Sequence, residues 1–121
     1  MIDGVSESVI YDSFSEIYAT TSVRDLGVII GERDGDEGWS INILQNNNLR
    51  CVFGPCSKEL GDNLSLVTRW ESDTNVKLYI ADGEHRLMSI NLMHDDYTGT
   101  QANPIAPSSF EYIADTDNNV P

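Results

Sequence analysis

Basic side chains are scarce in this chain of 121 residues. Seven Lys and Arg stand against 20 Asp and Glu, a formal net charge of −13 at pH 7. Gripping nucleic-acid phosphates takes clustered Lys and Arg, so direct nucleic-acid binding is not expected; the surplus charge favours solubility. No apolar run approaches the roughly 18 residues of a transmembrane helix. The N-terminal MIDGVSESVIYDSF lacks the basic flank and apolar centre of a secretory signal, so neither feature is expected. There are two cysteines, Cys51 and Cys56 in CVFGPC. The CxxC redox spacing is absent, and so is the second ligand pair of a structural zinc site. The cysteines are expected as thiols, buried or loosely placed, unless the Gly54-Pro55 turn brings their Cβ atoms within disulfide reach.

Catalytic signatures are missing too. No nucleophile motif or phosphate loop is present. With 20 acids, paired carboxylates arise by chance, so no acid/base pair is assigned. The expectation is a protein that is not an enzyme, with no catalytic, cofactor-binding or metal residues and no cofactor.

What the sequence does have is strands. It is 40% hydrophobic, with five Tyr, three Phe and two Trp, enough to build a core in one unit spanning 1–121. Short runs rich in β-branched and aromatic residues, parted by polar or Gly-containing turns, predict strands at 26–32, 39–44, 49–53, 64–70, 76–81, 86–92 and 109–114. Gly54-Pro55 is expected to stop the third of these, and residues 94–107 to form a polar loop. Residues 6–18 fit an amphipathic helix, or strands at 9–11 and 16–20; the β-branched residues and the pattern below favour strands.

The strands repeat. WSINILQNN from Trp39 matches MSINLMHDD from Met88, an offset of 49 residues; LGVIIGERDG from Leu26 matches VKLYIADGEH from Val76, an offset of 50. SEIYATT aligns with NLSLVTR further upstream. A period near 50 residues with about four strands per unit is the signature of a β-propeller blade. The expected fold is all-β: two four-stranded antiparallel blade-like units, at about 15–56 and 64–114, with a tail at 115–121. Propellers take about four to eight blades, so two blades form an incomplete ring and need partners, either other subunits or the remainder of the same polypeptide.

The segment Lys77 to Gly83, with Leu87 to Leu92, is similar to blades of the YWTD type, with Ile80 in place of the Trp. The longer stretch LSLVTRWESDTNVKLYIADGEHRLMSINL resembles tail structural proteins, of muzzle or nozzle type, from crAss-like bacteriophages. The matching positions are Arg69, Trp70, Glu71, Lys77, Tyr79, Asp82, Gly83, Arg86, Ile90 and Asn91, with Trp39 fitting the preceding blade. The resemblance covers roughly 26–92, and that family's members are much longer. It implies a virion protein made in the bacterial host cytoplasm, a piece of a longer tail protein. Such a protein assembles with other tail subunits, as a homo-oligomeric ring, around a DNA exit channel that it lines without gripping DNA. A rival reading from charge alone is a small acidic DNA mimic that blocks a nuclease or defence protein, which requires carboxylates on one face at phosphate-like spacing.

Individual residues read mostly as architecture. Asp82-Gly83 is expected to make a tight turn, since Gly tolerates positive φ and Asp accepts local backbone bonds. Trp39 and Trp70 are expected as packing anchors. His85 and His94-Asp95-Asp96 have metal-ligand residue types but no ligand spacing. Asp115, Asp117 and Asn118 lack the Gly and Glu of a calcium loop. Asp34, Asp36 and Glu37 crowd a turn that reads as a solvated loop.

Overall fold

The computed structural model describes residues 13–57, 60–84, 87–94, 97–99, 105 and 111–112. They form nine strands: β1 (Phe14–Val23), β2 (Leu26–Arg33), β3 (Trp39–Gln45), β4 (Asn48–Cys56), β5 (Ser65–Ser72), β6 (Asn75–Ala81), β7 (Met88–Asn91), β8 (Tyr97–Thr98) and β9 (Glu111–Tyr112). One sheet has the order β1-β2-β3-β4-β8 and the other β5-β6-β7-β9. All neighbours are antiparallel except β4 and β8, which run parallel. Among the described residues no helix is long and apolar enough to cross a membrane.

Local chemistry sets the hairpins. Asn46 and Asn47 sit at φ +52° and +65°, and Gln45 pairs with Asn48 across them. A two-residue turn with both φ values positive matches the twist of its flanking strands, and Asn tolerates that region. β6 alternates half-buried and buried positions, the pattern of a strand with one face on a core. β2 and β3 are buried on both faces over most of their length; β2 is apolar from Leu26 to Gly31, whereas β3 alternates its apolar residues with buried Ser40 and Asn42.

The core lies between the two sheets. Leu26, Val28, Ile30, Trp39, Ile41 and Ile43 from the first meet Val76, Leu78, Ile80, Met88, Ile90 and Leu92 from the second in one cluster. Fully burying each such side chain contributes about 1.5–3 kcal/mol. The repeat predicts Ile41 and Ile90 as equivalents, and likewise Val28 with Leu78 and Ile30 with Ile80. All six enter this same core. In a propeller, blades stack front to back, so equivalent side chains of two blades would enter different contacts. Here the two units meet through equivalent faces, and the described residues contain no ring.

Two expectations are corrected. β4 does not stop at Gly54-Pro55 but runs on to Cys56. Pro55 has no N–H to give, yet its carbonyl accepts the Ile105 N–H at 2.6 Å. Gly54 has φ +108°, and a Cβ there would lie 2.7 Å from the Trp39 carbonyl oxygen, so only glycine lets the strand pass. The second correction is in the polar loop at 94–107. It contains β8, which makes the first sheet five-stranded by pairing Phe53 with Tyr97 and Gly54 with Thr98.

β1 carries register shifts between Phe14 and Glu16 and between Ile17 and Ala19. Extra residues of this kind turn a strand's side chains from one face to the other. Phe14 and Ile17 accordingly join Ile29, Leu44 and Leu49 in a second cluster, while Val23 packs on the inter-sheet core. The far end of β1 meets β5: Thr68 Oγ1 donates to the Ser22 carbonyl at 3.4 Å, and the Arg24 guanidinium lies 4.4 Å from the Trp70 ring centroid.

Candidate functional site

Asp82 is fully buried, and its carboxylate holds two segments together. Oδ1 accepts the Glu84 N–H at 3.0 Å, the local turn bond that the sequence suggests, and Gly83 follows at φ +83°. Oδ2 accepts the Gly61 N–H, also at 3.0 Å, from the segment joining the two sheets. That second bond spans 21 residues and has no sequence signal. Asn91 makes a comparable tie: Oδ1 accepts the Val76 and Met93 N–H groups, and Nδ2 donates to the Thr74 carbonyl, each at 3.1 Å. Asn42, its equivalent in the repeat, donates instead to the Ile29 carbonyl at 3.3 Å and to Ser40 Oγ at 3.0 Å. Trp39 is buried, with its ring centroid 5.2 Å from that of Phe53. Trp70 is half-buried against the inter-sheet core.

The outward face of β5 and β6 collects the other motif residues. Val67 pairs with Tyr79, and Arg69 with Lys77. Val67 is 59% exposed. Arg69 Nε lies 3.7 Å from Glu71 Oε2, an exposed pair of small energetic weight. The motif therefore divides: Trp39, Trp70, Asp82, Gly83, Ile90 and Asn91 lie in the packing and turns, whereas Arg69, Glu71, Lys77 and Tyr79 lie on the outer surface. Arg86, His85, Asp95, Asp96, Asp115, Asp117, Asn118 and the alternative strand at 9–11 lie outside the described residues.

A groove of about 700 Å³ opens beside β1 and the linker between the sheets. Glu16, Glu32, Glu37 and Asp62 line it, with Tyr18 and Leu64 among its apolar walls. Tyr18 is 39% exposed. The sequence singles out only Glu37 of these, because the walls come from separated segments that no local pattern connects. Other carboxylates lie elsewhere: Asp34 and Asp36 beside Cys51 in a second hollow, Asp82 inside the fold, and Glu71 beside Arg69. Among the described residues the carboxylates are thus spread over several places rather than gathered on one face.

Both cysteines are free thiols. They lie on one strand, five residues apart at roughly 3.3 Å of rise per residue, beyond the separation a disulfide accepts even with bulges shortening the path. Burial pushes the Cys51 thiol above its ordinary 9.0, partly opposed by a backbone hydrogen bond at Phe53 and by Arg33. Native Cys51 is therefore expected to alkylate at least several-fold more slowly at pH 8 than in denaturant; equal rates in a thiol-titration time course would contradict its burial. A thiol with a raised folded pKa holds its proton more tightly folded than unfolded. Its contribution to stability is complete below pH 9.0 and declines as pH rises through the raised value. Among the described residues no group of three or more His, Cys, Asp or Glu is placed to hold a metal ion.

A family model described as Crassvirus muzzle protein matches residues 1–120. No curated protein matches, and no solved structure matches.

Proposed function

This chain belongs to the Crassvirus muzzle protein family, and from that premise we propose that it is built into the short tail of the phage by protein–protein contacts around the DNA exit channel. The family match over almost the whole chain carries the reading, and the family is one of virion structural proteins. In this role the protein does no chemistry. It supplies a stiff β unit and surfaces on which tail neighbours and further copies of itself assemble as a ring. The net charge of −13 fits a wall that DNA must slide past, since negative charge facing phosphates discourages adhesion. The exposed Val67 and Tyr18, on separate surfaces, fit a protein that meets neighbours in more than one direction.

Mass spectrometry of density-purified virions, with antibody labelling in electron micrographs, tests this. The chain is expected at a fixed copy number per particle, with label at the tail. Its absence from particles, with abundant free protein in the lysate, would end the proposal.

A further inference from the structure

We propose that the groove beside β1 is the docking site for a basic segment of another protein of the particle, one that carries Lys or Arg next to apolar side chains. The inference rests on the assembly reading above and adds the chemistry of one neighbour.

The first observation is a like-charge pair in the groove wall. Glu16 of β1 and Glu32 of β2 are direct register partners, and both line the groove. Like charges placed opposite each other on a sheet are destabilising. Glu37, between β2 and β3, and Asp62, between the two sheets, bring two more carboxylates to the same hollow. No Lys or Arg lines it, and among the described residues no ion pair reaches any of the four. Glu16, Glu37 and Asp62 are exposed and Glu32 is half-buried, so all four are open to cations from outside. Cations laid in the groove turn a repulsion within one chain into attraction between two.

The second observation is the shape and mixed lining of the groove. Its volume of about 700 Å³ falls within the roughly 300–1,000 Å³ of hollows that enclose a sizeable ligand. Ile17, Tyr18, Leu60 and Leu64 stand among the carboxylates. Leu60 and Leu64 also pack on the inter-sheet core, which fixes that wall in place. A small ion would use the carboxylates alone. A peptide segment uses both kinds of wall: the stem of a Lys or Arg lies along apolar surface while its head reaches a carboxylate. A second copy of this chain is the wrong occupant. At −13 each, two copies repel, and Arg24 already lies over Trp70 and Arg69 beside Glu71. The groove calls for a chain of opposite charge, whose complementarity also suppresses wrong pairings.

Calorimetric titration of the purified full chain tests the proposal, at about 0.15 M salt so that distant charges are screened. The probe is a short capped peptide alternating Lys and Val. Glu16→Gln with Glu32→Gln neutralises one wall, and Glu37→Gln with Asp62→Asn the other. Glu71→Gln with Asp73→Asn removes the same charge outside the groove. The unaltered chain and this last variant are expected to bind the peptide within about twofold of each other, and each groove variant at least about tenfold more weakly. Amide shifts on titration are expected at residues 16–18 and 60–64, which line the groove. The Glu16 and Glu32 variant is expected to melt no lower than the unaltered chain, because a repulsion has gone; should one groove pair impair folding, the other carries the comparison. A peptide that does not bind, equal weakening in all three variants, or shifts confined to other surfaces would each overturn the proposal. Equal weakening would mean attraction to net charge alone. The tail reading is judged separately: a chain found in virions whose groove ignores the peptide loses this site and keeps its place in the tail.

Discussion

Ile41→Ala and Ile90→Ala are each expected to lower the unfolding free energy by about 2–5 kcal/mol, the range for emptying a buried aliphatic site. Against a typical total of roughly 5–15 kcal/mol, either loss is a large fraction of stability. The two sites lie in different halves of the sequence but in one core between the sheets. Each substitution is therefore expected to move a single cooperative denaturation curve by a similar amount. If each repeat were its own folding unit, either change would instead split the curve, weakening one half and sparing the other. Urea denaturation followed by tryptophan fluorescence and far-ultraviolet circular dichroism separates these outcomes, because Trp39 reports on the first sheet and Trp70 on the second. Divergent curves from the two probes would refute the shared core. Val67→Ala, on the exposed face, is the control, expected within about 0.5 kcal/mol of the unaltered chain.

The second large effect lies at the junction between Asp82 and Gly61. Asp82→Ala removes the acceptor for two backbone N–H groups, one of them on buried Gly61. Hydrogen bonds to a carboxylate are worth about 1.5–3 kcal/mol, and a buried donor left without a partner costs about 1–3 kcal/mol. A loss of roughly 2–4 kcal/mol is expected, with Asp82→Asn intermediate because its amide keeps one acceptor oxygen. Gly61→Ala attacks the same junction sterically. A Cβ there would collide with the Asp82 carbonyl oxygen, and backbone cannot yield as a flexible side chain does. Thermal unfolding measures the cost, and amide hydrogen exchange locates it. Protection of the Gly61 and Glu84 amides is expected to fall in Asp82→Ala. Unchanged protection and an unchanged melting temperature would show that the carboxylate does not hold the linker.

Much of the architecture is legible in the residues themselves. The β-branched runs become β2, β3 and β6, QNNN becomes a hairpin turn, and the Ser-Ile-Asn repeat locates equivalent strands. Periodicity shows which side chains share a face but not which face that face will meet. Front-to-back stacking and front-to-front packing both bury Ile41 and Ile90, and the pattern cannot separate them. Gly54-Pro55 misleads because the same dipeptide serves a chain reversal and a strand lacking one donor; here Cys56 still pairs with Trp39 and Gly54 with Thr98, partners distant in sequence. The acidic groove is invisible for a related reason, since Glu16, Glu37 and Asp62 converge only after both sheets have formed.

The last two strands have a consequence for how the protein forms. After β7 the chain leaves the second sheet, lays β8 against β4 of the first, and returns to place β9 beside β7. The earlier strands are joined to sequence neighbours by short turns and close with little loop entropy. β8 must find Phe53 from position 97, a costly long-range pairing that cannot come first. Folding is thus expected to proceed as two quick meanders followed by a slower lacing stitch that crosses between them and back. Such a stitch ties each sheet to the other and resists pulling them apart.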